Sequence, residues 1–154
     1  MRPILRLFAL LALFCLVVTA APAQDSQAPQ PAGKKIKAGF VYVGPVGDFG
    51  WTNAHDLARQ QMMKIFPWLE TTFVESVAEA DSARVIDRLV NEEKCDVIFT
   101  TSFGYMNDTA AAAARYPDRT FMHCSGYKRG PNLGTYFAEL YQSYYLNGLM
   151  AGAL

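Results

Sequence analysis

From Ile36 onward, short apolar runs alternate with longer amphipathic ones, and Gly or Pro punctuates most of the junctions. Strands and helices in strict alternation bury both faces of a sheet only when the strands run parallel and the helices cover each side. Ile36 to Val43 reads as the first strand, stopped by Gly44-Pro45. A glycine-punctuated loop runs to Gly50, and Trp51 to Phe66 follows as a helix ended by Pro67. In that helix Ala54, Ala58, Met62 and Ile65 are expected to share the buried face. Leu69 to Val74, Asp96 to Thr101, Arg119 to Cys124 and Leu133 to Phe137 read as further strands. Asp81 to Lys94, with Ile86, Leu89 and Val90 as its stripe, reads as a helix, as do Asn107 to Arg115 and Leu140 to Leu154. The expected fold class is therefore α/β, a Rossmann-like lobe with a mostly parallel sheet.

The first 23 residues differ in kind. Arg2 and Arg6 precede an unbroken apolar run from Leu7 through Val18, and Ala21-Pro22-Ala23 places small residues where a signal peptidase cuts. The run is shorter than the about 20 residues a membrane-spanning helix needs. The expectation is a cleaved export signal over 1–23 and a periplasmic or other extracytoplasmic destination; an uncleaved anchor is the alternative. Leu13 and Phe14 stand before Cys15 where a lipobox needs small residues, so a lipid anchor is not expected. Residues 24–35, rich in Gln, Pro, Ala, Ser and Gly, read as a flexible leader.

Charge removes some partners. Fourteen basic and fourteen acidic side chains give a formal net charge of zero, without the cationic excess that nucleic acid or an anionic membrane calls for. Beyond the signal, Cys95 and Cys124 fall at opposite ends of neighbouring parallel strands, roughly 15 Å apart at the strand rise. A disulfide needs Cα atoms within about 7 Å, so two free, mostly buried thiols are expected.

In an open parallel sheet, ligands bind beyond the carboxyl ends of the strands. That rule selects Gly44–Trp51, Thr101–Asn107, Ser125–Asn132 and Phe137–Tyr141, segments rich in Gly, aromatic and amide residues. They suit a small, flat, polar ligand. Gly44 to Gly50 (GPVGDFG) is not the dinucleotide fingerprint: its first spacing is wrong, and Asp48 puts a carboxylate where a pyrophosphate would sit. No cofactor is expected. Trp51 opens the first helix at the sheet's mouth, either as core packing or as a stacking plate for an aromatic ligand. Phe49, Phe103 and Tyr105 fall on the same expected rim and favour stacking, while Asp48, Asn53, Ser102 and Asn107 are placed to hydrogen-bond a heterocycle edge or a sugar hydroxyl. His55 reads as solvated or capping and His123 as core. Neither belongs to a set of three or four converging metal ligands, so no metal site is expected. A G-x-S-x-G elbow is absent, and no catalytic residues are assigned.

The runs F-V-Y-V-G-P-V-G-D-F-G-W-T-N-A-H-D, I-F-T-T-S-F-G-Y-M, N-L-G-T-Y-F and Y-L-N-G-L-M-A-G-A together resemble the basic membrane protein family, the purine nucleoside receptor A-like substrate-binding proteins of ABC importers. The resemblance spans about Lys35 to Leu154. It implies a type I periplasmic-binding fold, two α/β lobes closing on a ligand, with 36–154 as the N-terminal lobe and the second lobe missing. It implies capture of a purine nucleoside or nucleobase and delivery to an ABC permease in the membrane. Trp51 takes the place of the aromatic that stacks on the purine. Asp48 and Asn53 match the nearby acid and amide, and Ser102, Phe103 and Gly104 match the segment after the third strand. Where many relatives carry a Thr-Asp pair after the first strand, Tyr42-Val43-Gly44 stands here, which keeps a free nucleobase such as adenine beside the nucleosides. The chain reads as a fragment or a truncated reading frame. An exported ligand-sensing subunit and an exported nucleoside hydrolase-type enzyme are the other readings.

Overall fold

The computed structural model describes Gly33 and residues 35–154. The expected export signal lies outside the described residues, and so does the leader apart from Gly33 and Lys35. Five strands form one sheet: β1 (Ile36–Val41), β2 (Leu69–Val74), β3 (Val97–Thr100), β4 (Thr120–Cys124) and β5 (Leu133–Tyr136). Their order is β2-β1-β3-β4-β5 and every pairing is parallel. Among the described residues, α1 (Trp51–Ile65), α2 (Ser82–Asn91) and α3 (Met106–Arg115) alternate with the first four strands, and α4 (Tyr141–Gly152) follows β5. The expected α/β class and parallel sheet are what the structure has.

Elements stop slightly short of their expected ends. β1 closes at Val41 rather than Val43, and α2 runs from Ser82 to Asn91 rather than from Asp81 to Lys94. Lys94 takes a φ of 56°, a left-handed conformation that a helix cannot continue through. Likewise α4 occupies Tyr141–Gly152 inside the expected 140–154.

Strand alternation splits the core in two. On one face, Val41, Ile98, Phe121 and Leu133 meet Ile86, Leu89 and Val90 of α2 and Ala112 and Ala113 of α3. The α2 stripe is the expected one, and each of its large side chains contributes about 1.5–3 kcal/mol by leaving water. On the other face, Ala38, Phe40 and Tyr42 pack with Met62, Leu69, Val97 and Phe99 beneath α1.

The expected buried face of α1 is corrected by the structure. Ala54, Ala58 and Ile65 are exposed and Met62 is half-buried, whereas Thr52, Asp56 and Arg59 are buried. The reason is a closed polar network. Arg59 Nε donates to Asp56 Oδ1 at 2.7 Å, Arg59 Nη1 donates to Thr71 Oγ1 at 2.8 Å, and Gln60 Nε2 donates to Asp56 Oδ2 at 2.7 Å. The guanidinium also lies 4.8 Å from the centre of the Phe73 ring. Polar groups satisfied in this way can be buried, so apolar periodicity picked the wrong side of the helix.

Thr100 pairs with His123 in the register, which puts Cys124 at the far end of the sheet from Cys95. Both cysteines are free and buried, as expected. Chain order and spatial order part at β1, whose neighbours are β2 on one side and β3 on the other. Loops after β1 and β3 therefore diverge to opposite faces and leave a crevice between them.

Candidate functional site

The loop leaving β1 is built around Asp48. Its carboxylate accepts the backbone N–H groups of Gly50 at 2.8 Å, Asn53 at 3.0 Å and Thr52 at 3.1 Å. These are orphan donors at the start of α1, and a negative charge there also suits the helix dipole. The bonds from Gly50 and Asn53 chiefly hold the Asp48 carboxyl below its ordinary pKa. The anion seat at this helix end is thus filled by the chain's own side chain. Asn53 Nδ2 donates to the Val46 carbonyl at 2.9 Å, and Thr52 Oγ1 accepts the Gly44 N–H at 3.2 Å, so the loop is stitched to the helix it precedes. Phe49, at a φ of 53°, projects from the tip and is 92% exposed.

Trp51 follows at the first position of α1 and is 38% exposed. Its Nε1 donates to the carbonyl of Thr101, just past the end of β3, at 2.7 Å. Its ring stands edge-on to His55, with centroids 4.9 Å apart at 71°, and tilted to Phe137 at 6.4 Å. His55 in turn is edge-on to Tyr136 at 6.3 Å. Trp51, Ala54, His55, Cys124, Tyr136 and Phe137, with Ala138 and Leu140, line a cleft of about 360 Å³ at this corner. Burial pushes His55 below the usual histidine pKa, leaving it neutral at pH 7, and burial pushes the Cys124 thiol and the Tyr136 phenol up. The indole is a wall of an open cleft, not a sealed core ring.

The end of β3 carries the second group. Ser102 Oγ donates to Glu79 Oε1 at 2.8 Å, and the Ser102 carbonyl accepts from His123 Nε2 at 2.8 Å. A carbonyl only accepts, so Nε2 carries the imidazole proton. Gly104 lies under the Glu79 carboxylate so closely that a Cβ there would stand 1.9 Å from the carboxyl carbon. Phe103 is 57% exposed and faces Tyr127 with centroids 6.5 Å apart. Asn107 Oδ1 accepts from Lys128 Nζ at 2.6 Å.

Tyr105 is not on the rim. It is 0% exposed, and its hydroxyl donates to the Val77 carbonyl at 2.6 Å. A short 3-10 turn over Phe103–Tyr105 rotates the ring into the core, which strand-end position alone does not reveal. Of the expected site residues, Trp51 and Ser102 come together across the Thr101 backbone. Asp48 and Asn53 are engaged with the loop, and Phe49 and Phe103 stand exposed.

His55, expected to be solvated or capping, is a wall of this cleft; Tyr136 and Glu79 are not among the expected site residues, and Phe137 is expected only as part of a rim segment. The spacing of four between Trp51 and His55 was the available signal, since it places both rings on one side of a helix. Glu79 carried no local signal. Among the described residues, no group of three or more His, Cys, Asp or Glu converges to hold a metal ion.

A family model described as ABC transporter substrate-binding protein, PnrA-like, matches residues 35–154. The chain is 45% identical over 125 residues to a protein of Brucella abortus (strain 2308) named as purine-binding, a match covering 80% of this chain and 35% of that one. It is 42% identical over 120 residues to TsgA13 of Haloferax volcanii, named for glucose binding by an ABC transporter, covering 78% of this chain and 30% of that one. This chain spans about a third of the length of these relatives. Among solved structures, an ABC transporter solute-binding protein from Conexibacter woesei DSM 14684 superposes with a TM-score of 0.63 at 16% identity, over 76% of this chain and 40% of that one.

Proposed function

From the premise that this chain belongs to the family of PnrA-like ABC transporter substrate-binding proteins, we propose that it is the extracytoplasmic solute-binding component of an importer for a purine nucleoside or nucleobase. Proteins of this family bind small molecules for a membrane permease and are not enzymes, and importer-type binding proteins work outside the cytoplasm. No helix among the described residues is long and apolar enough to cross a membrane. In this reading, residues 1–23 direct export, and 36–154 form the N-terminal lobe that takes the ligand at its strand ends and hands it to the permease.

The observation that carries the reading is the indole of Trp51, half-exposed at the mouth of the sheet and fixed by its bond to Thr101. A rigid, partly open aromatic plate is what a flat heterocycle stacks on, and such stacking contributes about 1–3 kcal/mol per base. The apolar cleft beside it has a volume in the small-ligand range of about 300–1,000 Å³. The name of the Brucella relative supports a purine, and that of the Haloferax relative makes glucose the competing ligand. Calorimetric titration with adenine, adenosine, guanosine, inosine and glucose tests the reading. Purine binding that Trp51→Ala weakens by at least about 1 kcal/mol is expected. Binding of glucose alone, or of purines with no loss in Trp51→Ala, overturns it.

A further inference from the structure

His55 has a more central place in the cleft than a solvated or capping residue would. It follows Trp51 by one helical turn, so both rings leave α1 on the same side. Its ring stands between the indole and Tyr136, edge-on to each. The lining around it is apolar: Trp51, Ala54, Cys124 and Phe137. Among the described residues neither ring nitrogen has a hydrogen-bond partner, although one aromatic neighbour lies on each side. Burial keeps the imidazole neutral at pH 7, so it offers one N–H donor and one lone pair. A donor and an acceptor placed between two aromatic rings in an apolar cleft, with nothing of the chain's own to satisfy them, match the edge of a ring that carries the complementary pair.

We propose that His55 reads the edge of the ligand: its imidazole exchanges hydrogen bonds with the rim of an uncharged planar heterocycle, a purine base, while the heterocycle stacks on Trp51. The proposal rests on the purine-binding reading above and narrows it. A phosphate would be carried into a cleft lined by neutral groups, and the nearby helix N-terminus is already occupied by Asp48. The uncharged base is therefore favoured over the nucleotide.

The test is calorimetric titration of the whole 154-residue chain with adenine and with adenosine monophosphate. Wild type, Trp51→Ala, His55→Phe, His55→Gln and His55→Ala are compared, with circular dichroism melting as the folding check. His55→Phe keeps the ring but removes both hydrogen-bonding groups, and a loss of about tenfold for adenine is expected. His55→Gln retains a donor and an acceptor and recovers part of that loss. Should His55→Phe lose its cooperative melt, the same ordering is read from His55→Gln against His55→Ala. Wild type is expected to prefer adenine to the monophosphate by about tenfold or more. Full adenine affinity in His55→Phe, or equal losses in His55→Gln and His55→Ala, removes His55 as the reader; if Trp51→Ala still weakens binding, the purine reading stands. A monophosphate bound as tightly as adenine overturns the uncharged ligand. A wild type that binds neither overturns the His55 proposal, and binding of adenosine, guanosine or inosine in the earlier titration then decides whether the purine reading falls with it.

Discussion

The side chain of Trp51 is tied to the backbone of Thr101, 50 residues away, by a 2.7 Å hydrogen bond from its indole nitrogen. The bond spans the crevice between the start of α1 and the end of β3. Thr101 lies just past β3 and its own N–H donates to the Val41 carbonyl at 3.2 Å, so the accepting backbone is anchored, the plate is oriented before a ligand arrives, and less ordering is left to oppose binding.

Trp51→Phe separates plate from tether. Phenylalanine still offers an aromatic face but cannot donate to Thr101. Adenine affinity should fall between those of wild type and Trp51→Ala, with the tether accounting for about 1 kcal/mol. Calorimetry on the three proteins decides it: affinity equal to wild type shows that the tether contributes nothing.

The Asp56–Arg59 pair is predicted to hold α1 to the sheet more by intolerance of loss than by net strength. Asp56→Ala leaves a buried guanidinium without its carboxylate and should cost about 3–5 kcal/mol in urea unfolding. Replacing both partners with apolar residues, as in Asp56→Leu with Arg59→Met, should cost far less than the single change. A single variant as stable as wild type would show that water reaches Arg59.

Gly126 is predicted to be a steric requirement of the His123 ring. A Cβ at Gly126 would stand 2.1 Å from His123 Nδ1, and His123 is only 1% exposed. Gly126→Ala should therefore destabilise by about 1–3 kcal/mol, since the imidazole is packed and cannot swing into solvent. At Gly104 the obstructing group is the exposed Glu79 carboxylate, which can swing away, so Gly104→Ala should cost clearly less. Equal melting temperatures for the two variants would contradict this.

Acid should weaken the fold through histidine before it does so through carboxylates. Burial lowers the pKa of both His55 and His123 below 6.5, the hydrogen bond to Ser102 only partly countering it for His123. The unfolded chain then binds protons at pH values where the folded chain does not, so stability is full above pH 6.5 and falls as the pH drops below it toward the folded pKa values. Urea midpoints measured from pH 7.5 down to pH 5 should show this slope. His123→Gln, which keeps a donor for the Ser102 carbonyl, should flatten it. An unchanged slope in that variant would assign the effect elsewhere.

Much of the architecture is readable from the chain, because Gly44-Pro45 and Pro67 bound runs whose period is plain. The carboxyl-end rule then placed Trp51 and Ser102 on the rim. Two things were hidden. Buried polar networks leave no hydrophobic trace, so periodicity assigns the buried face of α1 to Ala54, Ala58, Met62 and Ile65, whereas Thr52, Asp56 and Arg59 occupy it. Single-turn geometry is equally invisible: the 3-10 turn that sends Tyr105 inward is set by packing against Val77, far off in sequence. His55 was within reach, since its offset from Trp51 is helical, but a lone histidine is more easily read as a cap than as a wall of a cleft.

None of the twelve residues of α4 is buried, although Tyr144, Tyr145, Leu146, Leu149 and Met150 all belong to it. A helix of that length is marginal in water on its own backbone bonds, which need about 12–15 residues to persist. Its amide protons will therefore trade for deuterium on the clock of a free peptide, while those of β1 and β3 keep the time of the whole fold. Any surface that later shields those tyrosines will announce itself first as a slowing of that exchange.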